Sequence, residues 1–532
     1  MQKRRLFLLS KIYGAGITGT SGYIVSCETD VSDGLPCINM IGQISSEVKE
    51  AADRSRTAIR NSGVHLSPSK ITINLSPAEI KKTGCGYDLP IAIGILCSSG
   101  VIDKDSSKEL LENSIFVGEL SLDGKINRIN GILSITIAAR NAGYKRIFIP
   151  YENANEASVI ENIDCYGVKS LSEVIDILNY DLMLPEKSKY NEVDIPSLQE
   201  KDFSDVCGQD TVKRASILAV SGRHNILYIG PAGTGKSMIA SRLPTILPRM
   251  TRDEQLEISK VYSINGLLPD ELPLLTSRPF RAPHHTISSQ ALCGGGTVPR
   301  PGEISLASGG VLFLDELAEF KSGTLDGLRQ PLEDKKVVIS RVYGSVEYPA
   351  DFVLVAATNP CKCGYYPDRN RCNCSESMVR NYLGRISKPI LDRIDICVEM
   401  PNPAYRDLKE KSSGMKSSQI REEVERVREI QINRFKGSGL HFNSEMSPNM
   451  IKEYCVLSKE DDEFLKSVYI KKGMSARGLN KILKVARTIA DYEGHEEILR
   501  TNLCEAINYR TLEEKYRTGG SNYDDKFKIR KV

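Results

Sequence analysis

The stretch 225-NILYIGPAGTGKS-237 decides the fold, because it joins an apolar strand to a glycine-rich loop that ends in Lys-Ser. The loop fits the pattern G-x-x-x-x-G-K-[ST], and the next residues, 238-MIASRLPTIL-247, are typical of a helix. Glycines let the backbone approach a phosphate, and the loop amides supply a positive field. We therefore predict an ATP site in which Lys236 reaches the β- and γ-phosphates and Ser237 binds Mg²⁺. The predicted loop comprises Gly230, Pro231, Ala232, Gly233, Thr234, Gly235, Lys236 and Ser237.

An acidic pair supplies the second half of such a site. In 310-GVLFLDELAEF-320, an apolar run is followed by Asp315 and Glu316. Asp315 is predicted to complete the Mg²⁺ shell, and Glu316 to polarise the attacking water as general base. Many strands end in carboxylates, so the pair is informative because the phosphate loop precedes it. Together the two motifs indicate ATP hydrolysis.

Bulk composition excludes several classes of protein. The chain has 532 residues, which is enough for about three domains of ordinary size. Its net charge is only +3, so any nucleic-acid surface has to be a local patch. No apolar run approaches the ~18 residues of a membrane helix, and Phe7–Leu9 is too short for a secretory signal. We therefore expect a cytoplasmic protein.

Sequence patterns divide the chain into three regions and a linker. Residues 1–185 mix strand and helix patterns, and residues 186–202 are polar with prolines, as in a linker. Residues 203–402 contain both ATP motifs and predict an α/β domain. Residues 403–532 are charged and helix-periodic, most clearly around 476–493.

Further motifs resemble the AAA+ ATPases, in the chain order of that class. They are the Asp-Glu pair, a polar Asn359 that ends the next core strand, 391-LDRID-395 and 475-SARGLNKILKVARTIAD-491. Longer stretches are similar to the magnesium-chelatase-like branch of that class, and specifically to the YifB/ComM family. These stretches are 278-RPFRAPHHTIS-288, 294-GGGTVPRPGEISLASGGVLFLDELAEF-320, 382-YLGRISKPILDRID-395, 33-DGLPCINMIG-42, 47-EVKEAADRSRTAIRNSG-63 and 70-KITINLSPAEIKKTGCGYDLPIAIGIL-96. The resemblance implies a central AAA+ α/β domain and a C-terminal helical lid.

The resemblance also implies roles for three polar residues. Asn359 matches the first sensor position, which orients water or the γ-phosphate. Arg393 matches the arginine finger that a neighbouring subunit inserts, and a guanidinium there can raise the rate by about 10³–10⁵. Arg477 matches the second sensor on the lid. Alternatively, Arg393 is a salt-bridge partner of a neighbouring aspartate, and Arg477 is one cation of a basic neighbourhood. A finger acting between subunits implies a ring, and AAA+ rings are usually hexamers.

The first region resembles the proteolytic domain of Lon proteases, on the stretch 117-VGELSLDGKINRINGILSITIAARNAGYKRIFIPYENANEA-157. That enzyme uses a Ser nucleophile activated by a Lys. The matching positions here are near Gly86 and Leu133, neither of which can do this chemistry. Cys85 is adjacent, but no histidine lies nearby in the sequence. We expect an α+β domain of Lon-like fold without the Ser-Lys dyad, serving as a scaffold, assembly or partner-binding domain.

Two basic stretches are candidate DNA surfaces. The segment 335-KKVVISRVYGSVEYPADF-352 predicts a β-hairpin, which in related motors projects into the central pore. Lys335, Lys336 and Arg341 would then follow a phosphate backbone, and Tyr343 would stack on a base. The alternative is an ordinary hairpin with solvated charges.

On the predicted lid helix, Arg477, Lys481 and Lys484 share one face. This face meets either a nucleotide, DNA or solvent, and the sequence does not choose. The adjacent His284 and His285 have no carboxylate spaced to join them in a metal site, which favours a structural or DNA-contact role.

Two function classes compete, with a third behind them. The resemblance implies a DNA motor: family members of the ComM type are hexameric branch-migration helicases that support recombination of incoming DNA in natural transformation. The implied partner is single-stranded or branched DNA. The second class is a chelatase-type remodeller that uses ATP to drive metal insertion through a protein partner, although chelatase motor subunits lack the Lon-like region. A non-proteolytic ring scaffold is the third, but it leaves the intact ATP motifs without a purpose. The resemblance favours the DNA motor.

Four cysteines cluster in 359-NPCKCGYYPDRNRCNC-374. Cys361, Cys363, Cys372 and Cys374 form two Cys-x-Cys pairs, which favour a closed four-thiolate zinc site of structural type. Disulfides are disfavoured in a cytoplasmic protein, and free thiols remain an alternative. A zinc site here would hold a loop between Asn359 and Arg393.

Overall fold

The structure is a computed structural model that describes residues 9–180, 184–188, 201–341, 344–403, 405 and 414–518. Its strands are β1 Ser10–Thr18, β2 Ser21–Ser32, β3 Cys37–Ile41, β4 Lys70–Ser76, β5 Ser114–Phe116, β6 Glu119–Leu120, β7 Ile126–Asn127, β8 Arg146–Pro150, β9 Asp164–Val168, β10 Ile226–Ile229, β11 Phe280–Arg281, β12 Gly294–Gly295, β13 Arg300–Pro301, β14 Val311–Leu314, β15 Lys336–Arg341, β16 Gly344–Pro349, β17 Val353–Thr358 and β18 Ile396–Glu399.

Its helices are α1 Ser46–Asn61, α2 Asp88–Ser98, α3 Lys108–Glu112, α4 Ile132–Asn141, α5 Ala154–Ala157, α6 Leu171–Tyr180, α7 Asp210–Gly222, α8 Lys236–Ala240, α9 Leu243–Ile246, α10 Arg252–Ile264, α11 Ser289–Cys293, α12 Glu303–Leu306, α13 Ser322–Asp326, α14 Arg329–Asp334, α15 Glu376–Leu383, α16 Lys388–Leu391, α17 Ser417–Arg434, α18 Pro448–Tyr454, α19 Lys459–Lys472, α20 Ala476–Glu493 and α21 Arg500–Thr518. Short 3₁₀ turns lie at Tyr151–Asn153, Phe203–Asp205, Leu317–Glu319 and Asn443–Glu445.

A five-stranded parallel sheet forms the centre of the chain, in the order β11-β14-β17-β10-β18. Alternate residues of β10 enter different cores: Ile226 and Tyr228 pack on one face, and Leu227 and Ile229 on the other. A parallel sheet covered on both faces needs strands that are apolar throughout, which is why NILYI and VLFL read as continuous apolar runs. The predicted α/β fold of the central region is confirmed.

This topology brings the two ATP motifs to one edge. The phosphate loop follows β10, Asp315 follows β14, and Asn359 follows β17. Because β14, β17 and β10 are neighbouring parallel strands, their carboxyl ends lie side by side, where ligands bind in open α/β sheets.

The first region is α+β, as predicted. A four-stranded sheet of order β1-β2-β4-β3 packs against α1 and α2, and a three-stranded parallel sheet of order β5-β8-β9 lies beside it. Every residue of α2 is buried. This explains its apolar sequence DLPIAIGILCS, which lacks the polar face of a surface helix.

The region after the central sheet is helical, also as predicted. The expected helix at 476–493 is α20, and the hydroxyl of Ser475 caps it by accepting a hydrogen bond from the Gly478 amide at 3.1 Å. Most of the predicted linker, residues 189–200, lies outside the described residues. Among the helices that the structure describes, none is long and apolar enough to cross a membrane.

The first and central regions share a hydrophobic core. Leu268 and Leu274, which follow α10, are buried among residues of α4, β5 and β8. Around this core, Arg128 pairs with Asp270, and the Arg252 guanidinium donates to the Val159 carbonyl at 3.1 Å. The two regions therefore pack as one body through α10 and the segment after it.

The predicted hairpin is β15–β16, in which Ile339 faces Val346 and Arg341 faces Gly344. Its turn, including Tyr343, lies outside the described residues.

Candidate nucleotide site

Lys236 lies at the centre of the site and is buried. Its ammonium donates to the carbonyls of Gly230 and Pro231, both at 2.7 Å, and to the Asn359 amide oxygen at 3.1 Å. Burial lowers the pKa of Lys236, while Asp315 and Glu316 oppose that shift. A desolvated ammonium gains most from an anionic partner, so this position suits a phosphate.

The conformation of the loop explains its glycines. Gly233 and Gly235 have φ values of 80° and 94°, in the left-handed region that favours glycine. At Gly230, a Cβ atom would lie 2.3 Å from the carbonyl oxygen of Met400. The first glycine is therefore required by close packing against the end of β18, and the other two by backbone shape.

The acidic pair lies beside the loop. The Ser237 hydroxyl donates to Oδ2 of Asp315 at 2.7 Å, and the Glu316 amide donates to Oδ1 at 2.9 Å. A hydroxyl and a carboxylate at this separation are the hard oxygen ligands that Mg²⁺ accepts, so the residues fit the ion. Glu316 has φ 53° and ψ 46°, and its side chain is half exposed. This left-handed, non-glycine conformation sends the carboxylate out of the line of β14.

Sequence reasoning missed a partner of Glu316. Nδ1 of His285 lies 2.9 Å from its Oε2, and the rings of His284 and His285 are 4.1 Å apart. No carboxylate near in sequence could join these histidines, but β11 pairs with β14. Residues just past one strand therefore lie beside residues just past the other. The register of the two strands was the missing signal.

Arg393 and Arg477 lie elsewhere, in a cleft of about 770 Å³ that includes Asn225, Phe352 and Asp395. Those three residues directly precede β10, β17 and β18, so the cleft is at the amino ends of the strands, at the edge opposite the phosphate loop.

The Arg393 guanidinium is held in place by several contacts. It pairs with Glu333 at 2.8 Å and donates to the carbonyls of Arg329 at 3.0 Å and Pro389 at 2.7 Å. The ion pair is thus to Glu333 and not to an adjacent aspartate.

The lid helix face does not carry free lysines. Lys481 pairs with Asp395 at 2.9 Å, and the Lys484 ammonium donates to the Ser444 carbonyl at 2.8 Å. Burial would raise the pKa of Asp395, but Lys481 and His224 outweigh it and hold that pKa well below its usual range. These lysines attach the helical region to the sheet. The sequence left open whether they contact a ligand or lie in solvent, and their contacts here correspond to neither alternative.

The hairpin cations also differ from the expected set. Lys335 lies at the base of the hairpin, where it pairs with Glu445 of the helical region, and burial lowers its pKa. It is therefore not on the projecting part, contrary to the prediction, because α14 ends immediately before it. Lys336 pairs with Glu347 across the strands at 3.0 Å, and the Arg341 guanidinium donates to the Gly296 carbonyl at 3.2 Å.

The four clustered cysteines converge in space. Their sulfur atoms all lie within 4.8 Å of one another, and Cys361 is 3.3 Å from Cys363 and 3.7 Å from Cys372. A tetrahedral zinc site with Zn–S bonds of about 2.3 Å places its sulfurs about 3.8 Å apart. The donor set therefore fits a closed zinc site. Among the described residues, this is the group whose side chains converge as metal ligands do.

The cleft at the expected Lon position has no catalytic pair. Leu133 is fully buried, and burial raises the pKa of Cys85, the residue before Gly86, to about 11. A cavity of about 390 Å³ there is lined by Gly84–Tyr87 and, from the central region, by Pro299 and Tyr348.

A further cavity, of about 980 Å³, adjoins the start of the phosphate loop. It is lined by Gln209–Val212, Ile229–Pro231, Pro360, Tyr365–Asp368, Val398–Pro403, Asn508 and Tyr509. Gln209 has φ 60° and donates to the Pro401 carbonyl at 2.6 Å. Gly208, with φ 59°, is a sequence signal for this turn before α7, because the left-handed region favours glycine.

Comparison with known proteins identifies the family. The chain is 40% identical to Competence protein ComM of Haemophilus influenzae over 510 residues, which cover 95% of this chain and 98% of that protein. It belongs to the YifB/ComM family. YifB of Escherichia coli, described as uncharacterised, is 39% identical over 95% of this chain and 97% of its own length. An uncharacterised protein of Mycobacterium tuberculosis (strain ATCC 25618 / H37Rv) is 35% identical over 94% of this chain and 98% of its own length.

Shorter matches cover separate parts of this YifB/ComM protein. The family described as Magnesium chelatase, subunit ChlI, matches residues 202–408, so the central region is an AAA+ domain of that type. Subunit ChlI of Mg-chelatase matches residues 27–153, and Magnesium chelatase, subunit ChlI C-terminal, matches residues 414–510. Lon protease of Buchnera aphidicola is 24% identical over 32% of this chain and 22% of its own length.

Proposed function

We propose that this protein hydrolyses ATP as a ring, acts on DNA, and promotes branch migration during recombination of incoming DNA. The observation that carries the first part is the convergence of Lys236, Ser237, Asp315 and Asn359 at one sheet edge, with Glu316 beside them. A relative that is 40% identical over nearly the whole chain is named a competence protein, which supports a role in transformation.

The residues divide the work of hydrolysis. Lys236 binds the β- and γ-phosphates with the ammonium that now rests on two loop carbonyls. Ser237 and Asp315 would hold Mg²⁺, which when bound offsets the negative charge of the phosphates. Glu316 accepts the proton of the attacking water, and Asn359 fixes the orientation of the γ-phosphate or that water.

The position of the arginines supports a ring. Arg393 and Arg477 share the cleft at the amino ends of the strands, on the far side of the sheet from the chain's own phosphate loop. Each can serve hydrolysis only at the site of an adjacent copy, so we propose a homo-oligomeric ring, with six subunits as in AAA+ ATPases generally.

DNA would contact the hairpin on its projecting strands. Lys336 and Arg341 remain the candidate phosphate contacts, and their present partners, Glu347 and a backbone carbonyl, are exposed and exchangeable. Lys335 is not part of this surface because Glu445 engages it.

We propose one structural zinc per chain at Cys361, Cys363, Cys372 and Cys374. Their spacing matches the edges of a ZnS₄ tetrahedron, and all four positions are filled by protein, which leaves no coordination site for chemistry.

A chelatase-type remodeller is the second candidate, favoured by the matches to magnesium chelatase subunit ChlI over three stretches of the chain. Both functions need ATP hydrolysis, so the discriminating measurement is the stimulating partner.

The test is ATP hydrolysis by the purified ring with single-stranded DNA, a four-way junction or no DNA, and movement of a labelled junction. We expect stimulation and junction movement by the unmodified protein, and loss of both in Lys236→Ala and Glu316→Gln. Hydrolysis that responds to a tetrapyrrole-pathway partner and not to DNA would replace the motor with the chelatase function.

A further inference from the structure

We propose that the cysteine loop 361–374 forms one wall of the nucleoside pocket, so that metal at the four cysteines sets the affinity for ATP. The wall consists of Tyr365 and Tyr366. This inference rests on the proposed binding of ATP at the phosphate loop.

The first step is the location of the pocket. The cavity of about 980 Å³ begins at Gly230 and Pro231, the first residues of the phosphate loop, and extends over the carboxyl end of β18. Its size is at the upper end of the range for small-molecule sites, about 300–1,000 Å³. Because Lys236 and Ser237 fix the phosphates at the other end of the loop, the nucleoside of a bound ATP lies on this side.

The second step is the character of the lining. Tyr365, Tyr366 and Tyr509 contribute aromatic rings, and Val398 and Met400 contribute aliphatic surface. Aromatic rings stack on nucleobases without regard to base identity, and one such contact is worth roughly a tenfold change in affinity or more. This lining suits a purine better than a further charged group.

The third step is the connection between the wall and the cysteines. The guanidinium of Arg371 lies over the Tyr365 ring at 4.4 Å, and that of Arg369 over the Tyr366 ring at 5.0 Å. Arg369 also donates to the carbonyl of Cys374 at 2.8 Å, which ties the second ring to the cysteine pair.

The loop also lies near the phosphate loop. Gly364 has φ 84°, and a Cβ atom built on it would lie 3.8 Å from the amide nitrogen of Ala232. The cysteine loop therefore passes close to the first turn of the ATP motif and carries the two tyrosines that line the nucleoside cavity.

Metal is needed because the loop has little structure of its own. Residues 359–375 contain no helix or strand, and the backbone bonds inside the loop are four local turns, such as the Gly364 amide to the Cys361 carbonyl at 3.0 Å. A loop of fourteen residues with so few internal hydrogen bonds needs a further connection between its two ends to hold one conformation. A zinc ion that binds both Cys-x-Cys pairs does this, and its loss frees both tyrosines.

The experiment measures binding and not turnover, on the full-length protein. Zinc is counted by elemental analysis, and dissociation constants are measured by calorimetry for Mg·ATP and, separately, for inorganic triphosphate. Triphosphate reports the phosphate loop alone, so the difference between the two ligands reports the nucleoside pocket.

The variants separate the metal from the wall. Cys363→Ser removes the exposed ligand of the cluster with least disturbance of packing, and Cys37→Ser is the matched control at an exposed cysteine outside it. Tyr366→Ala and Tyr365→Ala remove the rings with the ligands intact, and Tyr151→Ala is the control at an exposed tyrosine.

We expect Cys363→Ser to lose zinc and to bind ATP about tenfold more weakly, with triphosphate affinity unchanged. The double variant Tyr365→Ala/Tyr366→Ala is expected to keep zinc and show the same selective loss. Unchanged ATP affinity after removal of zinc would refute the dependence of ATP binding on the metal. Unchanged ATP affinity after loss of both tyrosine rings would refute their role as a wall of the nucleoside pocket. Equal losses for ATP and triphosphate also overturn it, since the loop would then act on the phosphate loop. If the unmodified protein binds ATP but DNA does not stimulate its hydrolysis, the proposed DNA motor is refuted. The binding measurements on the variants still test the present inference in that case.

Discussion

Replacing Lys481 by Met should strongly destabilise the attachment of the helical region to the central sheet. The Lys481 ammonium lies 2.9 Å from Oδ1 of Asp395 and also donates to the Ile394 carbonyl at 3.1 Å. The two side chains are only 16% and 13% exposed, so water does not replace the lost partner. Methionine keeps the apolar stem and removes the charge together with the hydrogen bond to the Ile394 carbonyl.

The magnitude follows from the carboxylate that remains. Removing one partner of a fully buried pair costs about 3–5 kcal/mol. This is an upper limit here, because His224 and the Asn225 amide still face the Asp395 carboxylate. At about 2–4 °C per kcal/mol for a domain of this size class, this upper limit corresponds to a fall of ~6–20 °C in the unfolding midpoint. The double variant Lys481→Met/Asp395→Asn should recover much of this loss, because no uncompensated charge is left.

The pH dependence has a definite sign. The folded-state pKa of Asp395 lies below its unfolded value, so the pair stabilises the protein above the unfolded pKa, near about 3.9, and loses this contribution as the pH falls further. In Lys481→Met the carboxylate is instead protonated readily. The difference between the unmodified protein and the variant should therefore narrow on acidification.

Scanning calorimetry of the two variants and the unmodified protein, at neutral and acidic pH, checks this. Lys466→Met is the matched control, since Lys466 is an exposed lysine on α19. A midpoint for Lys481→Met that is indistinguishable from that of Lys466→Met would refute the reasoning. So would a double variant no more stable than the single one.

Three further predictions concern the proposed ring, its nucleotide site and the hairpin. Arg393→Ala and Lys236→Ala should each abolish ATP hydrolysis. Mixed rings of the two variants should regain part of the activity, because one subunit keeps the arginine finger and its neighbour keeps the phosphate loop. Mixtures as inactive as the single variants would contradict a finger acting between subunits. In steady-state kinetics, His285→Ala should change kcat at constant KM, because it removes a partner of Glu316. His285→Asn keeps a donor near the position of Nδ1 and should retain the kcat of the unmodified protein. Equal effects of both variants would mean that the contact between His285 and Glu316 is only structural. Lys335→Gln should leave the DNA affinity, measured by fluorescence anisotropy, within about twofold of the unmodified value, because Glu445 already pairs with the Lys335 ammonium. A tenfold loss of affinity would show that Lys335 contacts DNA.

Local patterns were sufficient for the central fold and the core of the ATP site. The run NILYI followed by a glycine loop, and the run VLFL followed by Asp315, are signals contained within a dozen residues each. Parallel strands need such runs because both faces are buried, and the carboxyl ends of neighbouring strands then meet without further specification. The meeting of Lys236 and Asn359 at 3.1 Å follows from this geometry.

Contacts between distant segments could not be predicted in this way. His285 meets Glu316 through the pairing of β11, a two-residue strand with little periodicity of its own. Lys481 shows the same limit, because a basic helix face reads as solvated until the buried Asp395 opposite it is known. The cysteine spacing indicated a metal site, but the cavity beside its tyrosines depends on how β17, β10 and β18 are ordered.

The core shared by the first and central regions has a consequence for how the chain can be divided. The polar stretch around residues 186–202 reads as the natural place to separate two modules, yet Leu268 and Leu274 lie beyond it and pack into the core of the first region. A protein shortened to the ATPase would expose both leucines to water and invite aggregation, whereas the first region alone would lack part of its interior. The linker in the sequence therefore does not mark the border between two independently folding units. The Lon-like first region is accordingly a structural part of the ATPase core rather than a removable attachment.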